Sequence, residues 1–262
     1  GLHFFAPANI MKLLEIVRAP TSSLAAAATG LALGRRLGKI PVVCGVCDGF
    51  VGNRILAAYR QQAEFMLEEG ALPQDVDAAM VAFGFPMGPF AVSDLSGLDI
   101  AWARRKRLAA TRDPRQRYAS RVADRLCEMG RLGQKTGAGW HRYVDGRREA
   151  DPLVAEVIEE VSRELGITRR PIGQEEIQRR LQATMMNEAW RILDDGIVAR
   201  GLDIDLAMIH GFGYPAWRGG PVFEAGEIGQ GVVLAEVEAI SAISGPGWEP
   251  ARGLLVAIRD GF

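Results

Sequence analysis

The chain repeats itself, and that repetition constrains its fold more than any single motif does. Leu67-Glu68-Glu69-Gly70 recurs as Leu193-Asp194-Asp195-Gly196, Asp75-Val76-Asp77-Ala78-Ala79-Met80 as Asp203-Ile204-Asp205-Leu206-Ala207-Met208, and Gly84-Phe85-Pro86 as Gly213-Tyr214-Pro215. Three matches in the same order, at an offset that grows from 126 to 128 to 129 residues, describe a duplicated unit with small loop insertions. The spacing inside the first copy is helical: Phe50, Ile55, Leu56, Tyr59, Ala63, Met66 and Leu67 keep one face until Gly70 ends the run, with Asp48 as the expected N-cap. The sequence therefore predicts two related helical domains in tandem.

Upstream of the first copy the periodicity changes. Met11 to Val17 reads as a strand, Ser22 to Leu37 as a helix stopped by Gly38, and Ile40 to Cys47 as a second strand, a β-α-β unit of the parallel-sheet kind. Two strands and one helix cannot cover both faces of such a sheet, so the chain reads as a fragment of a doubly wound fold with further units upstream. Between the helical copies, Asp151 to Leu165 reads as an amphipathic helix on Leu153, Val154, Val157, Ile158, Val161 and Leu165. The polar link Thr168 to Gly173 follows and sets a boundary near 170.

Composition excludes several classes. At 262 residues, 48% hydrophobic and 24% charged, the chain can build two or three compact cores, which rules out a disordered or fibrous protein. A net charge of −1 offers no basic surplus for holding nucleic acid. Apolar stretches such as Leu24 to Leu33 are interrupted well before the ~18 residues a membrane span needs. Cys44, Cys47 and Cys127 cannot form a disulfide framework and suit a reducing compartment; with no secretory leader in view, a cytoplasmic protein is expected. Cys44-Gly45-Val46-Cys47 has CxxC spacing but neither a second ligand pair nor a redox context, so the cysteines read as small strand residues and no metal site is expected.

The chemistry begins with Glu15, which stands in the apolar run Leu13-Leu14-Glu15-Ile16-Val17, twelve residues after His3. A carboxylate buried among such neighbours is costly unless a cation or hydrogen-bond donor meets it, and an imidazole is the partner that also makes chemical sense. Taken alone, His3 reads as a terminal or core-satisfied histidine. Paired with an orienting carboxylate it is general acid/base equipment.

Five motifs then fall in order: His3-Phe4-Phe5-Ala6-Pro7, Met11-Lys12-Leu13-Leu14-Glu15, Asp48-Gly49-Phe50-Val51-Gly52-Asn53-Arg54, Gly84-Phe85-Pro86-Met87-Gly88-Pro89-Phe90 and Lys135-Thr136-Gly137-Ala138-Gly139-Trp140. In order and spacing they resemble the signatures of the L-3-hydroxyacyl-CoA dehydrogenase family, and the tandem repeat is similar to the dehydrogenase half of multifunctional β-oxidation enzymes. The resemblance implies a mainly α chain. Residues 1–47 would be the remnant β-α-β edge of a Rossmann-type NAD-binding domain, 48–145 a first helical domain, 146–172 a linker and connecting helix, and 173–262 a second helical repeat. It also implies NAD-dependent oxidation of (S)-3-hydroxyacyl-CoA to 3-ketoacyl-CoA in fatty-acid β-oxidation. His3 would be the base, Glu15 its orienting carboxylate, Asn53 the substrate contact and Lys135 a cofactor contact. An acyl-CoA thioester is the expected partner, and the helical domains are expected to pair with each other, in a homo-oligomer or a β-oxidation complex.

Several of these residues keep a second reading. Asn53 near a helix start is often only a local cap, and the Lys135 to Gly139 loop is equally a plain Gly-rich turn. The Gly84 to Phe90 turn is either an apolar wall for an acyl chain or core packing, and Arg104-Arg105-Lys106-Arg107 either holds coenzyme A phosphates or is a solvated helix face. Two departures from the family stand out. Ala6 occupies the place where the family sets Asn or Ser, and the Gly-rich dinucleotide fingerprint is absent, so the 262-residue chain alone is expected to bind NAD poorly and to show no turnover. The rival readings of the whole chain are a non-catalytic helical assembly module and a dehydrogenase of small β-hydroxyacids.

Overall fold

A computed structural model describes residues 1–260. The chain opens with strand β1 (Leu2–Phe4), strand β2 (Leu13–Val17), helix α1 (Leu24–Arg36) and strand β3 (Ile40–Cys44). β2 and β3 pair in parallel, Leu13 against Ile40 through Val17 against Cys44, which is the predicted β-α-β unit with each strand trimmed by two or three residues. Ser23 caps α1 by accepting from the Ala26 N–H, so the helix begins at Leu24 rather than Ser22. β1 was not expected: its three residues are too few to show an alternation, yet it runs antiparallel to β2 and sets His3 directly opposite Glu15. β2 is thus the middle strand, and all five of its residues are buried.

The regular elements that follow, among the described residues, are helices and one hairpin. Helices α2 (Gly52–Glu69), α3 (Pro73–Phe83), α4 (Pro89–Ser96), α5 (Leu98–Leu108) and α6 (Arg121–Glu128) precede strands β4 (Arg142–Val144) and β5 (Arg147–Glu149). Helices α7 (Pro152–Glu164), α8 (Gln174–Asp194), α9 (Gly201–Phe212), α10 (Pro221–Ile228), α11 (Gln230–Ser244) and α12 (Arg252–Asp260) follow. The hairpin turns on Asp145 and Gly146, with φ of 49° and 73°, the geometry that Asp-Gly favours and a signal the helical reading passed over. α7 begins at Pro152, with Asp151 as its N-cap accepting from the Leu153 N–H.

Contacts gather the chain into two compact units that each draw on distant segments. One contains Gly1–Ala58, Gln182–Ala239 and the residues from Glu249 on; the other contains Tyr59–Leu181 and Ile240–Trp248. Leu13, Leu14, Ile55, Ile204 and Leu254 are fully buried in the first, and Phe65, Met66, Leu67, Met80, Leu126 and Ile158 in the second. No described helix is long and apolar enough to cross a membrane.

The duplicated sequence yields a duplicated device. α2, α3 and α4 correspond to α8, α9 and α10, and in each copy a buried aspartate on the middle helix grips the start of the third. Asp77 accepts from the N–H groups of Phe90 and Ala91 at 2.9 and 3.0 Å, and Asp205 from those of Val222 and Phe223 at 2.7 and 3.2 Å. The carboxylates take the place of an N-cap side chain. Only glycine fits beside them: a Cβ on Gly88 would lie 2.2 Å from the Asp77 Cα, and one on Gly220 2.4 Å from the Asp205 Cβ. Pro89 and Pro221 follow at the first helical position, where a missing N–H costs nothing.

Burial pushes both carboxyls up, to about 6, against an ordinary aspartate near 4. The folded chain therefore holds these protons more tightly than the unfolded chain. Their contribution to stability is full below about pH 4 and is lost as the pH rises through 6. Asp205→Asn removes one of the two titrations. Lowering the pH from 7.5 to 5 is expected to stabilise the parent chain relative to this variant by about 1 kcal/mol, read from denaturant midpoints at the two pH values. A gap that stays constant would contradict the burial argument.

Candidate active site

The expected His–carboxylate pair is formed. His3 Nδ1 lies 2.6 Å from Glu15 Oε2, and the Glu15 side chain is 0% exposed while that of His3 is 31% exposed. The other carboxylate oxygen is also occupied: Oε1 accepts from the N–H groups of Val51 and Gly52 at 3.1 and 3.2 Å, at the entry to α2. Glu15 thus satisfies orphan donors of a helix terminus and meets the positive end of its dipole, which is how its charge is tolerated in a dry strand. This also corrects the expected start of α2. Asp48 lies outside the helix because Gly49 and Phe50 both have positive φ, 85° and 50°, and a carboxylate more than thirty residues upstream meets the helix start instead.

Phe50 is a non-glycine residue in the left-handed region, a conformation costing roughly 1–2 kcal/mol. The turn that holds it there brings its ring centroid to 5.4 Å from that of His3, and Phe5 approaches from 4.5 Å. The imidazole is therefore held by one hydrogen bond and two aromatic contacts. Lys39 fixes the loop between β1 and β2, donating to the carbonyls of Ala8 at 2.5 Å and Met11 at 2.7 Å. None of these supports was picked out from sequence, although Phe5, Phe50 and Gly52 all lie inside the motifs quoted above. Ala6, in the same loop, is exposed and brings no hydrogen-bonding side chain.

With Nδ1 directed at a carboxylate, the imidazole carries its proton on Nδ1 and presents the Nε2 lone pair, the form a general base requires. Asn53 lies exposed in the first turn of α2, one residue after the Gly52 N–H that binds Glu15. Lys135 belongs to the other unit. It lies in a short 3-10 turn, Gln134–Thr136, and its ammonium donates to Asp99 at 2.6 Å, which holds the Asp99 carboxyl below its ordinary range.

Other sequence candidates resolve into structure. Phe85 stacks on Tyr59 and Phe83, and Phe90 packs against Trp140, so the Gly84 to Phe90 turn is core packing. Arg105 is bound by Asp124 and Lys106 lies over the Trp102 ring. Cys44 is buried and its thiol is pushed up to about 12, far from the thiolate that a metal or redox role needs.

The residues present fit the reacting end of a nicotinamide dinucleotide but not its phosphates. His3 presents an imidazole nitrogen of the kind a base requires, yet the helix between β2 and β3 is entered through Ser23, with no Gly-rich turn against which a pyrophosphate could rest.

Comparison with known proteins gives the same answer. Residues 1–47 match the family described as 3-hydroxyacyl-CoA dehydrogenase, NAD binding domain, and residues 49–143 and 177–250 match 3-hydroxyacyl-CoA dehydrogenase, C-terminal domain. The chain belongs to the 3-hydroxyacyl-CoA dehydrogenase family, a class of oxidoreductase, and its cofactor is NAD. It is 45% identical over 251 residues to the peroxisomal bifunctional enzyme of Danio rerio, covering 91% of this chain and 35% of that protein. To the glyoxysomal fatty acid beta-oxidation multifunctional protein MFP-a of Brassica napus it is 35% identical over 259 residues, covering 97% and 36%. The crystal structure of 3-hydroxybutyryl-CoA dehydrogenase from Escherichia coli superimposes with a TM-score of 0.80 at 26% identity, covering 100% of this chain and 70% of that one. The chain spans about a third of the length of the curated relatives it matches. The expected cytoplasmic location is overturned: these relatives are named for peroxisomes and glyoxysomes, and a cysteine count that indicates reducing conditions does not distinguish between compartments.

Proposed function

We propose that these residues oxidise (S)-3-hydroxyacyl-CoA to 3-ketoacyl-CoA in fatty-acid β-oxidation, as the dehydrogenase portion of a multifunctional protein. The observation that carries this reading is the His3–Glu15 pair, held at 2.6 Å and anchored to the start of α2. His3 Nε2 takes the proton of the substrate hydroxyl as the C3–H bond breaks, and NAD held beside it would supply the acceptor for the hydride leaving C3. Glu15 keeps the Nδ1–H tautomer in place and stabilises the imidazolium once it forms. Asn53 donates its side-chain amide to the substrate oxygen from the first turn of α2, where the helix terminus adds favourable polarity. Lys135, exposed on its Gly-flanked turn, is assigned to an anionic or ribose group of the cofactor.

The matched ranges support domain limits of 1–47, 48–145, 146–172 and 173–262. Ion pairs from α2 to α8, Arg54 to Glu188 at 2.6 Å and Glu69 to Arg180 at 2.7 Å, support pairing of the two helical copies within one chain.

Acetoacetyl-CoA-dependent oxidation of NADH, measured in the protein that carries these residues, tests the reading. Absence of turnover in the intact protein with any 3-ketoacyl-CoA would overturn it. Asn53→Ala is expected to lower kcat/KM by roughly 10²–10³-fold, the scale for losing one donor to a developing oxyanion, while the melting temperature of the protein stays unchanged because the position is exposed.

A further inference from the structure

The second helical copy contains no counterpart of His3 or Glu15, yet its residues pack against the residues that hold that pair. The last turn of α9 lies directly on β2: a Cβ on Gly211 would fall 2.4 Å from Leu13 Cδ2. The next residue, Phe212, meets Phe5 edge-on at 5.4 Å, and Phe5 is the ring 4.5 Å from His3. On its other side Phe212 presses on the start of α2, where a Cβ on Gly52 would fall 1.9 Å from its ring. Gly52 is also one of the two N–H donors to Glu15. Two further ties hold the same loop: Arg54 binds Glu188 at 2.6 Å and Asp195 at 2.8 Å, and the Gly45 N–H donates to the Ile197 carbonyl at 2.7 Å.

We propose that Phe212 is a positioning residue for the His3–Glu15 pair. It acts through Phe5 on the imidazole plane and through Gly52 on the helix terminus that holds Glu15, so the second copy completes a site to which it contributes no reacting group. A ring packed between Phe5, which lies against His3, and Gly52, which donates to Glu15, ties the supports of both members of the pair to one side chain. The assignment rests on the reading of His3 as the base.

Histidine 15N NMR of the 262-residue chain tests it without cofactor. Only three histidines are present, and His141, buried in the other unit, reports folding independently. Phe212→Ala is expected to shift the His3 ring nitrogen signals while those of His141 are unchanged; Phe212→Leu should restore most of the parent signal. If Phe212→Ala disturbs His141 as well, Phe212→Leu decides, since it must still displace the His3 signals detectably and alone. Gly52→Ala should perturb His3 strongly in the parent but less when combined with Phe212→Ala, because the colliding ring is gone. In the active protein, Phe212→Ala should lower kcat on the order of 10-fold with little change in KM, as expected for misplacing a base by a fraction of an ångström. His3 signals identical to the parent in Phe212→Ala, or strictly additive Gly52 and Phe212 effects, would overturn the assignment. Turnover that survives loss of His3 would instead sink the functional reading and leave the NMR result standing.

Discussion

Replacing His3 with alanine is expected to reduce acyl-CoA-dependent NADH oxidation by at least ~100-fold, the usual scale for removing a general base. The loss should fall on kcat and kcat/KM alike, because the proton is transferred only as the transition state is reached. Stability should suffer less than activity. His3 is partly exposed on an edge strand, and without it Glu15 keeps both backbone donors at the start of α2. Steady-state kinetics paired with thermal denaturation separate the two effects. Activity near the parent level in a folded His3→Ala protein would remove the central residue of the mechanism.

Glu15 is expected to behave differently because it does two things. Glu15→Ala leaves the Val51 and Gly52 N–H groups without their acceptor in a fully buried place and opens a void in β2. A destabilisation on the order of 3 kcal/mol follows, together with an activity loss of roughly 10²–10⁴-fold. Glu15→Gln should separate the two. Its carbonyl oxygen can still accept from the helix, but the amide NH₂ then faces His3 Nδ1 and draws the imidazole into the opposite tautomer, with the proton on Nε2 where the base is needed. Activity should fall nearly as far as in the alanine variant, while the stability loss is smaller by about 1–2 kcal/mol. Denaturant unfolding and kcat for the two variants check this. Equal stability losses would mean that the helix contact carries little weight.

The parts of this fold that could be read from sequence are those encoded within a short window. The repeat showed because its motifs kept their order and nearly their spacing, and the His3–Glu15 pair showed because a carboxylate among Leu, Ile and Val is conspicuous. What escaped depends on residues far apart in the chain. The start of α2 was misplaced because its partner is Glu15, not a local cap residue. The contribution of Phe212 could not be seen because it is made about two hundred residues from His3, through Phe5. The hairpin at Asp145-Gly146 was missed for the opposite reason: its strands of three residues are shorter than any period that could reveal them.

The aspartate grip on the third helix of each copy has a further consequence for how the duplicate halves can diverge. Between Asp77 and Gly88 the chain takes 11 steps, and between Asp205 and Gly220 it takes 15, yet the carboxylate meets the helix start in the same way. Helix placement is thereby separated from loop length, and lengthening a loop costs only ~0.6 kcal/mol per doubling. The longer loop carries the turn Ala216–Arg218, with Trp217 74% exposed to solvent. A change in the length of that loop can therefore leave the start of α10 in place, and with it α9, whose last turn packs against Leu13 of β2.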